Sequence, residues 1–247
     1  MSDLVAQWKK DEAAPFSGWD FSYLAGRHDE DRPPWDYVAL ARAEVERSSC
    51  LLDIQTGGGE LLASLAPFPG KAFASEGYAP NVAVARARLA ALGVEVRQCG
   101  EAARLPFDSE SFDLVLNRHG GLRFGEIARV LRPGGTFLTQ QVSGTTLSDL
   151  QARFGAKPKW PEATFTNAMT NARRAGLKII RSEECNGFER FHDVGAIVYF
   201  LKAIPWLVDD FSVDRHREML LGLHSELERV GVLSFAIGRY LIKAIKE

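Results

Sequence analysis

The chain has 247 residues, with 30 Lys or Arg against 32 Asp or Glu, a net charge of −2 and 46% hydrophobic residues. That composition excludes a wholly disordered, collagen-like or coiled-coil protein. The near-neutral balance gives no whole-protein field that favours nucleic acid, though it does not exclude it.

Residues 1–48 are rich in aromatics and turn formers and are expected to form a helical cap that packs over a neighbouring core. After Pro33-Pro34, which suit a helix start, Asp36 to Arg47 reads as a helix with Tyr37, Leu40, Ala41 and Val45 on one face. Leu51 to Ile54 then reads as a strand, Gly59 to Leu65 as a helix, Lys71 to Ser75 as a strand, and Pro80 to Leu92 as a helix closed by Gly93. Val94 to Gln98 and Phe112 to Leu116 are further strands. Gly125 to Leu131 is a short helix stopped at Pro133-Gly134-Gly135, and Thr136 to Val142 is the next strand. This repeated β-α-β spacing predicts an α/β fold, a doubly wound, mostly parallel sheet with helices on both faces.

The remainder repeats the unit once and then departs from it. Phe165 to Ala175 reads as a helix, Leu177 to Arg181 as a strand, Asp193 to Trp206 as a strongly apolar run, Asp214 to Arg229 as an amphipathic helix and Val232 to Ile245 as a terminal strand. The expected organisation is a cap at 1–48 and a main domain at 49–247, with residues 186–230 as an insertion suited to a lid. No apolar run approaches the roughly 18 residues of a membrane span, and the first ten residues lack an apolar leader core. A cytoplasmic protein is therefore expected. Cys50, Cys99 and Cys185 are odd in number with no C-x-x-C pair, which argues against a disulfide framework and a zinc site.

The chemistry concentrates at Leu51-Leu-Asp-Ile-Gln-Thr-Gly-Gly-Gly-Glu60, an apolar strand that ends in an acid and passes through three glycines into a helix. Glycines there let the backbone approach a ligand, and the free N–H groups of a helix start favour anions. Glu76, at the end of the next strand, follows Gly57 by 19 residues. That is close to the spacing of an acid that accepts hydrogen bonds from a ribose, a task that suits an acceptor-only carboxylate.

These segments resemble the class I S-adenosylmethionine-dependent methyltransferases of the type 11 kind, from about Leu51 to about Val142. Leu51 to Glu60 is similar to their first motif and Glu76 to their ribose-binding acid. Gly100 to Phe107 is similar to the loop that receives adenine, Phe112 to His119 to the fourth strand, and Glu126 to Gly135 to the helix and turn before the fifth. The resemblance implies a seven-stranded Rossmann-like sheet with S-adenosylmethionine as cofactor. In it Asp53, Gln55, Gly57 and Gly59 would lie at the methionine part, Glu76 and Gly77 at the ribose, Glu101 and Ala102 at the adenine, and Asn117 beside them. Gln55 departs from the family pattern, because it stands where the first glycine of D-x-G-x-G-x-G belongs. Its side chain either points away from the ligand or contacts it.

An acceptor is expected beyond the fourth and fifth strands, where Asn117, Arg118, His119, Gln140 and Gln141 cluster. His119 is the candidate general base, since an imidazole titrates near neutrality; the competing reading is a residue that only hydrogen-bonds its loop. No Asn-Pro-Pro-Tyr motif follows the fourth strand, which disfavours methylation of base or amide nitrogen. His216 and His224 read as solvated, and His28 as part of a solvated turn. For Trp19, Phe21, Trp35, Phe200 and Trp206, core packing outweighs a role over a ligand. The function implied is methyl transfer to a small or medium-sized acceptor. The rivals are a non-catalytic protein that binds the same cofactor and an NAD-dependent oxidoreductase, disfavoured because Leu62 stands where G-x-G-x-x-G needs its last glycine.

Overall fold

The computed structural model describes residues 2–16, 20–100 and 103–247. In chain order it runs through α1 (Ser2–Ala13), β1 (His28–Glu30), α2 (Tyr37–Val45), β2 (Cys50–Ile54), α3 (Glu60–Ser64), β3 (Lys71–Glu76), α4 (Ala79–Leu89) and β4 (Glu95–Gln98). It continues through β5 (Phe112–Arg118), α5 (Phe124–Val130), β6 (Leu131–Val142), α6 (Ser148–Arg153) and α7 (Phe165–Arg174). The last elements are β7 (Leu177–Phe191), α8 (Val194–Ala203), α9 (Arg217–Val230) and β8 (Leu233–Lys246). The strand order is β1-β7-β8-β6-β5-β2-β3-β4. From β4 to β6 the pairs are parallel, and β8 adds to β6 antiparallel.

The chain divides into two compact units. The larger comprises Pro34–Val142, Thr164–Cys185 and Arg239–Glu247. Its sheet is covered on both faces because alternate residues of each strand point opposite ways. Leu51, Leu114, Leu116 and Leu138 pack with Tyr37, Ala41, Leu62 and Leu89 from α2, α3 and α4. Leu52, Ile54, Val115 and Phe137 pack with Phe124, Ile127, Ala168 and Ala172 from α5 and α7. Local signals set the helix ends: the Asp36 carboxylate accepts from Ala39 N and the Thr164 hydroxyl from Asn167 N, each satisfying an orphan first-turn donor. Gly93, left-handed at φ 71°, closes the short 3-10 turn that follows α4.

The smaller unit comprises Met1–Pro33, Ser143–Ala163 and Asn186–Gly238, with a core of its own. Trp8 of α1, Leu150 of α6, Leu220 of α9 and Phe235 of β8 meet α8, which is apolar on nearly all sides and correspondingly buried. Its Asp193 cap accepts from Ala196 N and pairs with Arg27, which also binds Asp11.

Several expectations need correction. The sheet has eight strands rather than seven, because residues 28–30 form a strand and not a solvated turn. Polar side chains bond across β1 and β7: His28 Nε2 with Glu189 Oε1, and the Arg190 guanidinium with Asp29 and Asp31. The strand expected to stop at Arg181 continues to Phe191. His216 is buried rather than solvated, stacked on Phe211 at 5.2 Å between ring centroids. Trp19 lies outside the described residues.

Candidate functional site

Successive strands leave β2 toward β3 and β4 on one side, and β5 and β6 lie on the other, so the carboxyl ends of β2 and β5 flank the reversal of strand order. Open α/β sheets take ligands at this place. The turn after β2 has left-handed backbone at Gln55 (φ 57°), Gly57 (φ 62°) and Gly59 (φ 80°). A glycine adopts that conformation freely, whereas an L residue such as Gln55 gives up about 1 kcal/mol to hold it. A Cβ on Gly57 would meet nothing within 4 Å, so the turn is open there. A Cβ on Gly59 would lie 2.9 Å from Leu89 Cδ1, so that glycine serves the close approach of α3 to α4.

Glu76 ends β3 facing this turn. Its Oε2 accepts from Gly57 N at 2.7 Å, and its Oε1 accepts from Gly77 N at 2.9 Å and Tyr78 N at 2.8 Å. Three backbone amides thus fix a buried carboxylate, and of roughly four lone-pair directions about one remains. A Cβ on Gly77 would lie 3.0 Å from Cys99 O and 3.0 Å from Gly100 Cα, so glycine is what lets this backbone pack directly against the Cys99–Gly100 segment beside the acid. Asp53 lies buried at the end of β2. Burial, opposed by Thr56 and reinforced by the charge of Glu76, pushes its carboxyl up to about 7. The Thr56 hydroxyl is buried beside the Asp53 carboxyl, and the buried Ser75 hydroxyl has no hydrogen-bond partner among the described residues.

Asn117 sits wholly buried beneath the loops. Its amide donates to Ile54 O at 2.9 Å, and its oxygen accepts from Gln141 at 2.5 Å and Thr139 at 3.3 Å, which ties β2, β5 and β6 together. Gln55 turns its side chain to the loop after β5, where its oxygen accepts from Gly121 N at 3.0 Å. His119, also left-handed at φ 57°, begins that loop. Its backbone N–H donates to Gln140 O at 3.0 Å, and its Nε2 lies 3.0 Å from Gln140 Nε2. Burial, then the charges of Arg118 and Arg239, lowers its pKa from the ordinary imidazole value, an effect that solvent weakens because the residue is exposed.

The structure therefore brings Asp53, Gln55, Gly57, Glu76 and Gly77 to one turn, with Gly59 behind it and His119 joined to it through the Gln55–Gly121 contact. Glu101 and Ala102 lie outside the described residues. Sequence reasoning passed over Thr56 and Ser75, and it treated Trp35 as a packing aromatic, whereas the indole N–H bonds Gln140 Oε1 at 2.7 Å. A Trp and a Gln 105 positions apart carry no local signal of such a pair. A cavity of about 550 Å³ lies elsewhere, at the edge where β2, β3 and β5 begin, beside Ser49, Lys71 and Arg132. Among the described residues no cluster of three or more His, Cys, Asp or Glu is arranged to hold a metal ion.

The methyltransferase domain family matches residues 52–139. A demethylmenaquinone methyltransferase of Chlorobaculum tepidum is 36% identical over 112 residues, which are 41% of this chain and 46% of that protein. The chain thus spans just under half the length of the curated relatives it matches. Among solved structures, the YcgJ protein of Bacillus subtilis superposes with a TM-score of 0.60 at 18% identity, covering 85% of this chain and 98% of that one. A functionally unknown protein of Deinococcus radiodurans gives a TM-score of 0.62 at 14% identity, covering 89% and 91%. Both share the fold.

Proposed function

We propose that this chain, whose residues 52–139 match the methyltransferase domain family, acts as a class I S-adenosylmethionine-dependent methyltransferase and transfers a methyl group from S-adenosylmethionine to a small or medium-sized acceptor. The observation that carries the reading is the clamp of Glu76 on the glycine turn through Gly57 N, with Asp53 buried behind it. The residues present fit the cofactor. The turn is open at Gly57, one acceptor direction remains on the Glu76 carboxylate for a ribose hydroxyl, and the buried Ser75 hydroxyl has no partner among the described residues. When bound, the cofactor supplies a sulfonium that already activates its methyl group.

The chain's own part is to bind, orient and exclude water. Asp53, ionised beside a cationic ligand, would face the methionyl ammonium. Glu76 would hold the ribose, and the adenine would lie toward the loop after β4, where Glu101 and Ala102 follow Gly100 in sequence. Gln55, in place of a glycine, ties the cofactor turn to the acceptor-side loop through Gly121, and Asn117 supports both from below. His119 is the candidate to meet the acceptor. Transfer then rests mainly on holding the nucleophile in line with the S–CH₃ bond, an effect of proximity and orientation.

No helix among the described residues is long and apolar enough to cross a membrane, and a small-molecule acceptor in the cytoplasm is the setting we propose. Isothermal titration with S-adenosylmethionine, S-adenosylhomocysteine and NAD tests the reading. The two sulfur compounds should bind and NAD should not; binding of NAD alone would remove it. Transfer of a labelled methyl group into pooled acceptors separates an enzyme from a protein that only binds the cofactor.

A further inference from the structure

The loop after β5 contains a hydrogen-bond chain whose direction is fixed at one end. The Trp35 indole can only donate, and it gives its Nε1–H to Gln140 Oε1 at 2.7 Å. That settles which way the Gln140 carboxamide faces, because a flipped amide would set donor against donor. Its NH₂ group therefore points at His119 Nε2, 3.0 Å away. An amide nitrogen does not accept, so His119 Nε2 must. The neutral ring then carries its proton on Nδ1. Trp35 and Gln140 are both buried, so water does not compete for the bond that orients the carboxamide; the exposed His119 meets it at the surface end of the chain.

The surroundings point the same way. Nδ1 has no hydrogen-bond partner among the described residues. Arg118, next in the chain, lies 5.9 Å from the centre of the Tyr37 ring and has no carboxylate in ion-pair distance among them. Arg239 is a second nearby cation. A positive field, a free N–H and an occupied Nε2 lone pair are poorly suited to taking a proton and well suited to holding an anion.

We propose that Trp35 and Gln140 are positioning residues that lock His119 as a neutral Nδ1–H donor, and that His119 with Arg118 recognises an acceptor that arrives as an anion, a carboxylate or an acidic phenolate. The acceptor half rests on the methyl-transfer reading; the tautomer half does not. With an anionic nucleophile the electrons balance without a base: its lone pair forms the new bond to the methyl carbon as the C–S bond breaks, and that electron pair neutralises the sulfonium.

The test is ¹⁵N-imidazole NMR on the cofactor-free protein, with S-adenosylhomocysteine binding measured separately so that failure of one reading is distinct from failure of the other. Wild type should show an unprotonated Nε2 and a protonated Nδ1 at His119. Gln140→Glu, whose carboxylate still accepts from Trp35 but cannot donate to His119, should move the proton to Nε2. Trp35→Phe, which frees the amide to flip, should give a mixture. A wild-type proton on Nε2, or an unchanged tautomer in Gln140→Glu, overturns the lock. Benzoate, and not benzamide, should shift the Nδ1 signal, and Arg118→Met should abolish that shift. Equal response to both probes, or to neither, overturns the anion half.

Discussion

Replacing Asp53 by asparagine should remove a defined part of the protein's pH dependence. The side chain is 5% exposed, and its carboxyl is pushed from 3.8 up to about 7, chiefly by burial. A raised acid keeps its proton longer in the folded state than in the unfolded chain. Its ionisation therefore opposes folding more and more as pH climbs above the unfolded value, and the opposition levels off above the folded one. At 1.36 kcal/mol per pKa unit the full penalty is about 4 kcal/mol, of which about 2 kcal/mol accumulates between about pH 5.5 and about pH 8.5. Asparagine keeps the shape and cannot ionise. Urea unfolding at the two pH values should therefore show wild type losing about 2 kcal/mol more than Asp53→Asn. Parallel losses in the two proteins would mean that Asp53 is already ionised at the lower pH, and the argument for its desolvated state would fall.

Substitutions at three further positions probe the same turn. Gln55→Gly should be more stable to urea than Gln55→Ala by about 1 kcal/mol, since both lose the bond to Gly121 and only alanine keeps the cost of left-handed backbone. Equal stabilities would show that residue 55 does not hold that conformation. Glu76→Gln sets an amide NH₂ among three backbone donors, and by calorimetry it should weaken S-adenosylhomocysteine binding at least roughly tenfold; unchanged affinity would take Glu76 out of the site. Gly77→Ala puts a methyl 3.0 Å from Cys99 O and Gly100 Cα, so it should push the Cys99–Gly100 backbone away and cost about 1 kcal/mol of stability in urea unfolding. A neutral result would show that the Cys99–Gly100 backbone yields without cost.

The parallel sheet was legible because its signals are local. Short apolar runs, glycines at the β-to-α turns and capping residues such as Asp36 and Thr164 each fix a few neighbouring residues. The smaller unit was illegible for the opposite reason. Its core joins Trp8, Leu150 and Phe235 from three distant chain segments, and no periodicity within one segment announces that meeting. Strand β1, His28-Asp-Glu30, has no apolar or β-branched residue to mark it, and its pairing with β7 is reinforced by partners far away in sequence such as Arg190. At the site, the acid and glycines stood out from spacing alone, and so did Gln55 as a departure. What Gln55 does, bonding Gly121 from a left-handed backbone, depends on a loop 66 residues further on. The Trp35–Gln140–His119 chain likewise joins residues that sequence order keeps apart, and only the fold shows that the Nε2 of the candidate base is already engaged.

The central claim is that Asp53, the Gly57 turn and Glu76 enclose one adenosyl ligand. A crystal structure of the protein with S-adenosylhomocysteine tests it most directly. The account predicts ribose hydroxyls within hydrogen-bond distance of Glu76, the adenine toward the loop after β4, and the amino acid end toward Asp53. A ligand bound at any other edge of the sheet, or one that leaves Glu76 with no contact beyond its three backbone amides, would contradict it.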